Sequence, residues 1–237
     1  MRLKRVLAIA CGAALLLAAP AVPVAAGTLQ INPVLVEIGS GRRTATVSLR
    51  NQETVPVTIR AYALGWRQAD GEDVYEETAE LIVSPPIFTV APGATQLVRV
   101  GPRSASAEPR AYRLIIEEVP EAAPEGGIRV ALRLNLPLYK RIAAGAPAQL
   151  RWSARRQADG GWVIEAANSG PGYVRLDADL ARAATGARYE DSVYFGTVLP
   201  GATRRWRVGP GLRIEDRTQF ERLTGMQGHA AAVQGSD

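Results

Sequence analysis

The sequence predicts an all-β chain made of two sandwich domains. Three observations carry that reading. Short β-branched runs recur at spacings of roughly 8 to 15 residues, turn chemistry separates them, and a small-residue stretch divides one set of strands from a second.

The chain opens with Arg2, Lys4 and Arg5, an apolar run from Val6 to Ala19, and then Pro20, Pro23, Val24, Ala25 and Ala26. That is the order of a secretory signal peptide, expected to be removed after Ala26. The run is about 14 residues, short of the roughly 20 that a membrane-spanning helix needs, and no later stretch is long and apolar enough to insert. Cys11, the only cysteine, lies inside this segment, where a lipidation cysteine is the alternative reading. A mature chain starting at Gly27 has no thiol, so its cores must hold the fold without disulfides.

Three of the 28 basic residues leave with the signal, so 25 face 23 acidic ones and the mature net charge is about +2. Lysine then survives only at Lys140. There is no block of like charge and no aromatic-interleaved basic stripe, which argues against a nucleic-acid partner.

In the first half, strands are expected over Thr46 to Leu49, Val55 to Leu64, Gln96 to Val100 and Tyr112 to Val119. Gly39-Ser40-Gly41, Asp70-Gly71, Pro92-Gly93 and Gly101-Pro102 mark the turns. The stretch from Ile128 to Leu138 is the most informative. Ile128, Val130, Leu132, Leu134 and Leu136 alternate with Arg129, Ala131, Arg133 and Asn135, giving one strand a face of five aliphatics. Such a face packs either into its own sandwich or against a partner, and the pattern alone leaves both open.

Pro137 is expected to stop ladder donation, and the small, Gly- and Pro-containing residues up to Gln149 read as an interdomain hinge over 142–149. A first domain is thus assigned to 27–141 and a second to 150–237. The second pattern runs through Leu150-Arg151-Trp152, Gly161 to Ile164, Asn168 to Gly172, Tyr173 to Leu180 and Val193 to Leu199, with Pro200-Gly201 turning into Trp206. Trp152, Trp162 and Trp206 are expected in its core. The tail after Glu215 is less strand-like, and its last ten residues are expected to be disordered.

Little catalytic chemistry is on offer. His229, the only histidine, lies in the tail, so neither a His/Cys metal site nor a Ser-His-acid triad is expected. Glu117-Glu118 and Glu76-Glu77 are adjacent pairs, which a strand points to opposite faces. Glycine-rich phosphate loops are missing too. The chain is read as a non-enzyme with no cofactor.

These residues resemble a known family. The opening segment Leu29 to Ile38, Ser84-Pro85-Pro86, Pro92-Gly93 leading to Leu97-Val98-Arg99-Val100, Tyr112-Arg113-Leu114 and Glu118-Val119-Pro120 follow the order of the periplasmic chaperones of the chaperone–usher pilus pathway. Asn168-Ser169-Gly170 and Gly196-Thr197-Val198-Leu199-Pro200-Gly201 are similar to that family's second domain. The resemblance implies two immunoglobulin-like β-sandwich domains in an L-shaped arrangement, in the periplasm, with pilus subunits and an outer-membrane usher as partners. It also implies a use for the alternating strand, namely donation to a subunit whose own sandwich lacks one. Matching that donor strand selects Ile128, Val130, Leu132 and Leu134. Four aliphatics at roughly 1.5–3 kcal/mol each would supply about 6–12 kcal/mol before ordering costs.

Well-studied members of the family anchor the subunit's C-terminal carboxylate with an Arg near the end of the opening strand and a Lys in the donor strand. Those positions fall near Leu35 and at Pro137 here, a departure that resembles the divergent, archaic branch. Arg113 is the first replacement candidate, with Arg99, Arg133 and Lys140 behind it; a solvated surface arginine is the alternative for Arg113. Pro85-Pro86 is a candidate cis peptide, with a trans turn as the default. The competing functional reading is an exported two-domain β-sandwich adhesin or carbohydrate-binding module, for which Trp66 is the obvious loop-edge aromatic.

Overall fold

A computed structural model describes residues 29–39, 41–104, 108–120, 131–142, 146–176, 196–209 and 231–234. The expected signal peptide, Ile128, Val130, Cys11 and His229 lie outside the described residues. All regular structure among the described residues is β, in ten strands before the linker and six after it.

The first sandwich has two sheets. One is ordered β1 (Leu29–Asn32), β3 (Ala45–Asn51), β8 (Thr95–Pro102) and β6 (Leu81–Ser84). The other is ordered β2 (Val36–Ile38), β10 (Arg133–Lys140), β9 (Arg110–Glu118), β4 (Val57–Ala69) and β5 (Glu72–Glu77), with β7 (Ile87–Val90) also on β4. Val47, Leu49, Val98 and Val100 from the first sheet meet Ile59, Tyr112, Leu114, Ile116 and Leu138 from the second in one buried cluster. Each fully buried aliphatic contributes about 1.5–3 kcal/mol, so this face-to-face packing replaces the absent disulfides.

The second sandwich contains a sheet ordered β15 (Thr203–Val208), β12 (Trp162–Asn168), β11 (Leu150–Arg156) and β16 (Ala231–Gln234). A pair, β13 (Val174–Leu176) with β14 (Gly196–Val198), accompanies it. Trp152, Trp162 and Trp206 are buried as expected, and the rings of Trp152 and Trp206 stack at 6.0 Å. β16 departs from the sequence reading of a disordered tail, because residues 231–234 pair in parallel with β11. The expected strands reaching Leu180 and starting at Val193 are described only over β13 and β14.

Three local readings change. β4 runs on to Ala69, so Trp66 is a strand residue only 4% exposed rather than a loop-edge aromatic. Cis peptides stand at Asn32-Pro33 and Ser84-Pro85, so the cis bond precedes Pro85 instead of following it. Pro137 does not stop β10, which pairs with β9 from Arg133 to Lys140. The phase of the ladder explains why. Glu118 N donates to Leu132 O at 2.8 Å, so even-numbered residues turn their backbone groups toward β9 and odd-numbered ones away. Arg141 N, donating to Ile38 O of β2 at 2.9 Å, agrees with that alternation. The N–H that Pro137 lacks belongs to the side away from β9, where its loss costs no β9 bond.

Candidate functional site

The same alternation makes half of β10 an open edge. β2 pairs with it only at Leu138, Tyr139 and Lys140, so over residues 133–137 β9 is its sole partner among the described residues. Arg133 and Asn135 therefore turn unpaired N–H and C=O groups outward, the arrangement to which another strand adds. The aliphatic face changes character along the same strand. Leu138 is fully buried and Leu136 nearly so, Leu134 is partly buried against the core cluster of its own sandwich, and Leu132 is 37% exposed. Of the four expected donor residues, Leu134 thus serves its own sandwich at least in part, Leu132 stands free of the core, and Ile128 and Val130 lie outside the described residues.

Arg113 sits on the outer face of the same sheet, opposite to the core residues Tyr112 and Leu114. It is register partner to Pro137, one of the positions where the resemblance misses a base. Its guanidinium carbon lies 3.7 Å over the Trp66 ring and 5.6 Å from the Tyr75 ring, and Nη2 donates to Tyr75 OH at 3.4 Å. Cation–π contact of this kind is worth about 0.5–2 kcal/mol. The Arg113 Nε is buried without a hydrogen-bond partner, and no carboxylate pairs with Arg113 among the described residues. Sequence parity placed this side chain on the correct face, while its aromatic shelf was hidden because Trp66 was assigned to a loop.

The other expected bases separate. Arg133 is exposed on the same face, its Nη2 donating to Tyr62 OH at 3.2 Å, four residues from Pro137 and so about 13 Å along the strand. Arg99 belongs to β8 in the opposite sheet, between the core residues Val98 and Val100, and points out of the far side. Lys140 is 2% exposed and falls on the core-facing side of β10 with Leu136 and Leu138. Neither Arg99 nor Lys140 reaches the outer face that carries Arg113.

The Arg113 shelf adjoins the second sandwich. Trp66, Ala111, Tyr139, Ile142 and Leu199 form a buried cluster that spans the two, with Leu35, Tyr173 and Ala202 packed on it. The Tyr139 and Tyr173 rings stack at 3.8 Å, and Tyr173 OH donates to Glu37 Oε1 at 3.1 Å. Burial and the Glu37 charge push the Tyr173 phenol up to about 12, and burial also raises those of Tyr139 and Tyr75. Polar bonds fix the junction: Gln68 Nε2 donates to Thr197 O at 2.7 Å and Leu199 N to Gln68 Oε1 at 3.0 Å. Arg205 N donates to Gly71 O at 3.0 Å, an approach that needs glycine because φ is +86° and a Cβ would collide with Arg205.

Glu117 and Glu118 diverge as a strand requires. Glu117 accepts from Arg60 and Tyr62, which hold its carboxyl below the usual range against the opposing effect of burial, whereas Glu118 accepts from Leu132 N. Among the described residues no three His, Cys, Asp or Glu side chains cluster to hold a metal.

Residues 28–143 match the family described as pili and flagellar-assembly chaperone, PapD N-terminal domain. Among solved structures, the chain is similar to one from the CsuC–CsuE chaperone–tip adhesion subunit pre-assembly complex of archaic chaperone–usher Csu pili of Acinetobacter baumannii. Identity is 22% and the TM-score 0.67, covering 80% of this chain and 90% of that one. A second similarity is to the Salmonella enterica SafA pilin in complex with the SafB chaperone, with 17% identity, TM-score 0.54 and 78% and 85% covered. A third is to the E. coli chaperone DraB, with 14% identity, TM-score 0.51 and 77% and 85% covered. No curated protein sequence matches the chain significantly. The fold is that of chaperones with two immunoglobulin-like domains. The likeness to the pili and flagellar-assembly chaperone family thus covers residues 28–143, the first sandwich and the start of the linker.

Proposed function

We propose that this chain is a periplasmic chaperone of the archaic chaperone–usher branch, which binds a pilus subunit by donor-strand complementation and delivers it to an outer-membrane usher. In this reading residues 1–26 direct export and are removed, 27–141 form the subunit-binding domain, 142–149 link it to the domain of 150–237, and no reaction is catalysed. The observation that carries the proposal is the open edge of β10 over residues 133–137, joined to an aliphatic face that leaves the chaperone's own core toward Leu132. An incomplete subunit sandwich exposes an apolar groove and two bare edges, and a donated strand satisfies both at once. Ile128, Val130 and Leu132 are the donated side chains, with Leu134 shared between the two cores.

Arg113 is the proposed anchor for the subunit's terminal carboxylate. What supports it is its register with Pro137, its place on the outer face and its lack of an ion-pair partner among the described residues. A guanidinium resting on aromatic rings is held ready without being neutralised, so it can still donate two hydrogen bonds to a carboxylate.

The test compares three aspartates on one strand. Val130→Asp and Leu132→Asp are expected to leave the free protein folded, within about 3 °C of the parent melting temperature, while co-purification of the subunit is lost. Leu138→Asp, by contrast, places a charge at a fully buried site and is expected to unfold the free protein. Normal capture by both of the first two variants, or unfolding by Val130→Asp, would remove the donor-strand proposal.

A further inference from the structure

The Arg113 shelf is tied to the second sandwich through one carboxylate. Asp73 of β5 faces Gln68 of β4 across their hairpin. Its Oδ1 accepts Trp66 Nε1 at 2.8 Å and Gln68 Nε2 at 2.8 Å, and Arg204 Nη1 of the second sandwich lies 3.4 Å from the same oxygen. Gln68 continues the connection, since its amide also bonds Thr197 O and Leu199 N. The Trp66 indole that Asp73 holds is the ring over which Arg113 rests at 3.7 Å.

We infer that Asp73 is a positioning residue for subunit capture, setting the Arg113 guanidinium through Trp66 in step with the docking of the second sandwich; this rests on the anchoring role proposed for Arg113. A hydrogen bond at the indole nitrogen limits how far the ring can swing, and the guanidinium rides on the ring face. Arg204 is 7% exposed, with Nε and Nη1 lacking hydrogen-bond partners among the described residues. Its nearest counter-charge is Asp73, because the second carboxylate, Glu72, is 3.8 Å away and largely solvated. A buried cation without a near counter-charge is costly, so displacement of Arg204 pulls on the oxygen that orients Trp66. Movement at the junction and movement of the shelf are therefore one event.

Nuclear magnetic resonance of the free protein labelled on arginine gives a direct test. Stacking on Trp66 should shift the Arg113 side-chain protons upfield. Asp73→Ala should return them toward solvent-exposed values, and Asp73→Glu, which keeps the charge and displaces the oxygen, should move them part of the way. A folded Asp73→Ala or Asp73→Glu protein whose Arg113 resonances are unchanged would overturn the inference. Subunit capture then separates it from the anchoring role. If Arg113→Ala weakens capture about ten-fold, Asp73→Ala added to it should cost less than a further two-fold, because both act through one contact. Full, independent losses would also overturn the inference. If Arg113→Ala leaves capture unchanged, the anchoring role fails, and the resonances still decide whether Asp73 sets the guanidinium.

Discussion

The two sandwiches share a corner and use it differently. In the first, Asn51 ends β3 and bonds through its backbone to Ala94 O and from Gly93 N, at 3.0 and 2.9 Å. In the second, Asn168 ends β12 and makes the same pair with Ala202 O and Gly201 N, both at 2.9 Å. Each asparagine is buried, and each faces a turn of sequence Pro-Gly-Ala-Thr, at 92–95 and 200–203. The first amide closes its own domain, donating to Val55 O and Val90 O and accepting from Glu53 N. The second donates to Gly172 O and Val198 O but accepts twice, from Gly170 N and from Gln149 N of the linker. Its turn also packs Leu199 and Ala202 into the junction, whereas the turn at 92–95 is exposed. An amide oxygen has two acceptor sites, and the free one in the first corner is what the second spends on the linker.

Asn168→Ala is accordingly expected to be the more damaging change. It strands two donors and two acceptors and should cost about 3–5 kcal/mol in a urea melt, against about 2–3 kcal/mol for Asn51→Ala, whose corner is nearer water. Proteolysis within 142–149 should rise for Asn168→Ala alone. Equal losses, or equal exposure of the linker, would break the comparison.

The turns themselves should be equivalent. Gly93 and Gly201 have φ of +69° and +70°, and a Cβ at either would meet nothing within 4 Å. Alanine at each is therefore expected to cost about 1 kcal/mol from backbone strain alone, the two values agreeing within about 0.5 kcal/mol. A much larger loss at Gly201 would mean that the junction loads the turn as well as the amide.

The smallest effect is electrostatic and belongs to the junction only. With its folded pKa raised from 10.0 to about 12, Tyr173 stabilises the fold fully below pH 10 and loses that contribution as pH rises through about 12. Alkaline difference spectra should show a late-ionising tyrosine in that window that disappears in Tyr173→Phe. Its persistence in the variant would assign the late step to another phenol.

Most strands were legible because alternation is local. Alternation sets Arg113 opposite to Tyr112 and Leu114, and the structure agrees, with both neighbours buried in the core. Parity also reaches Lys140, which shares the phase of Leu138 and is buried with it. It cannot say which of two sheets a strand joins, and that is why Arg99 was grouped with Arg113 although they lie on opposite layers. The repeated Pro-Gly-Ala-Thr was visible all along, but its two copies read as separate turns, since their common partner is an asparagine dozens of residues away in the chain. Trp66 was misread for a related reason: past Leu64 the strand is held by β9 as far as Trp66 and by β5, which folds back to pair with it as far as Ala69.

Pro137 gives the open edge of β10 a length. Along the outward side, Arg133 and Asn135 each offer a donor and an acceptor, whereas Pro137 has no N–H and its carbonyl turns to β2, which occupies the place from Leu138 onward. A visiting chain thus finds about five residues of edge, some 17 Å, that fade at one end and are walled at the other. Were a strand to add to this edge as proposed, its tip would be halted at Pro137, one strand away from Arg113.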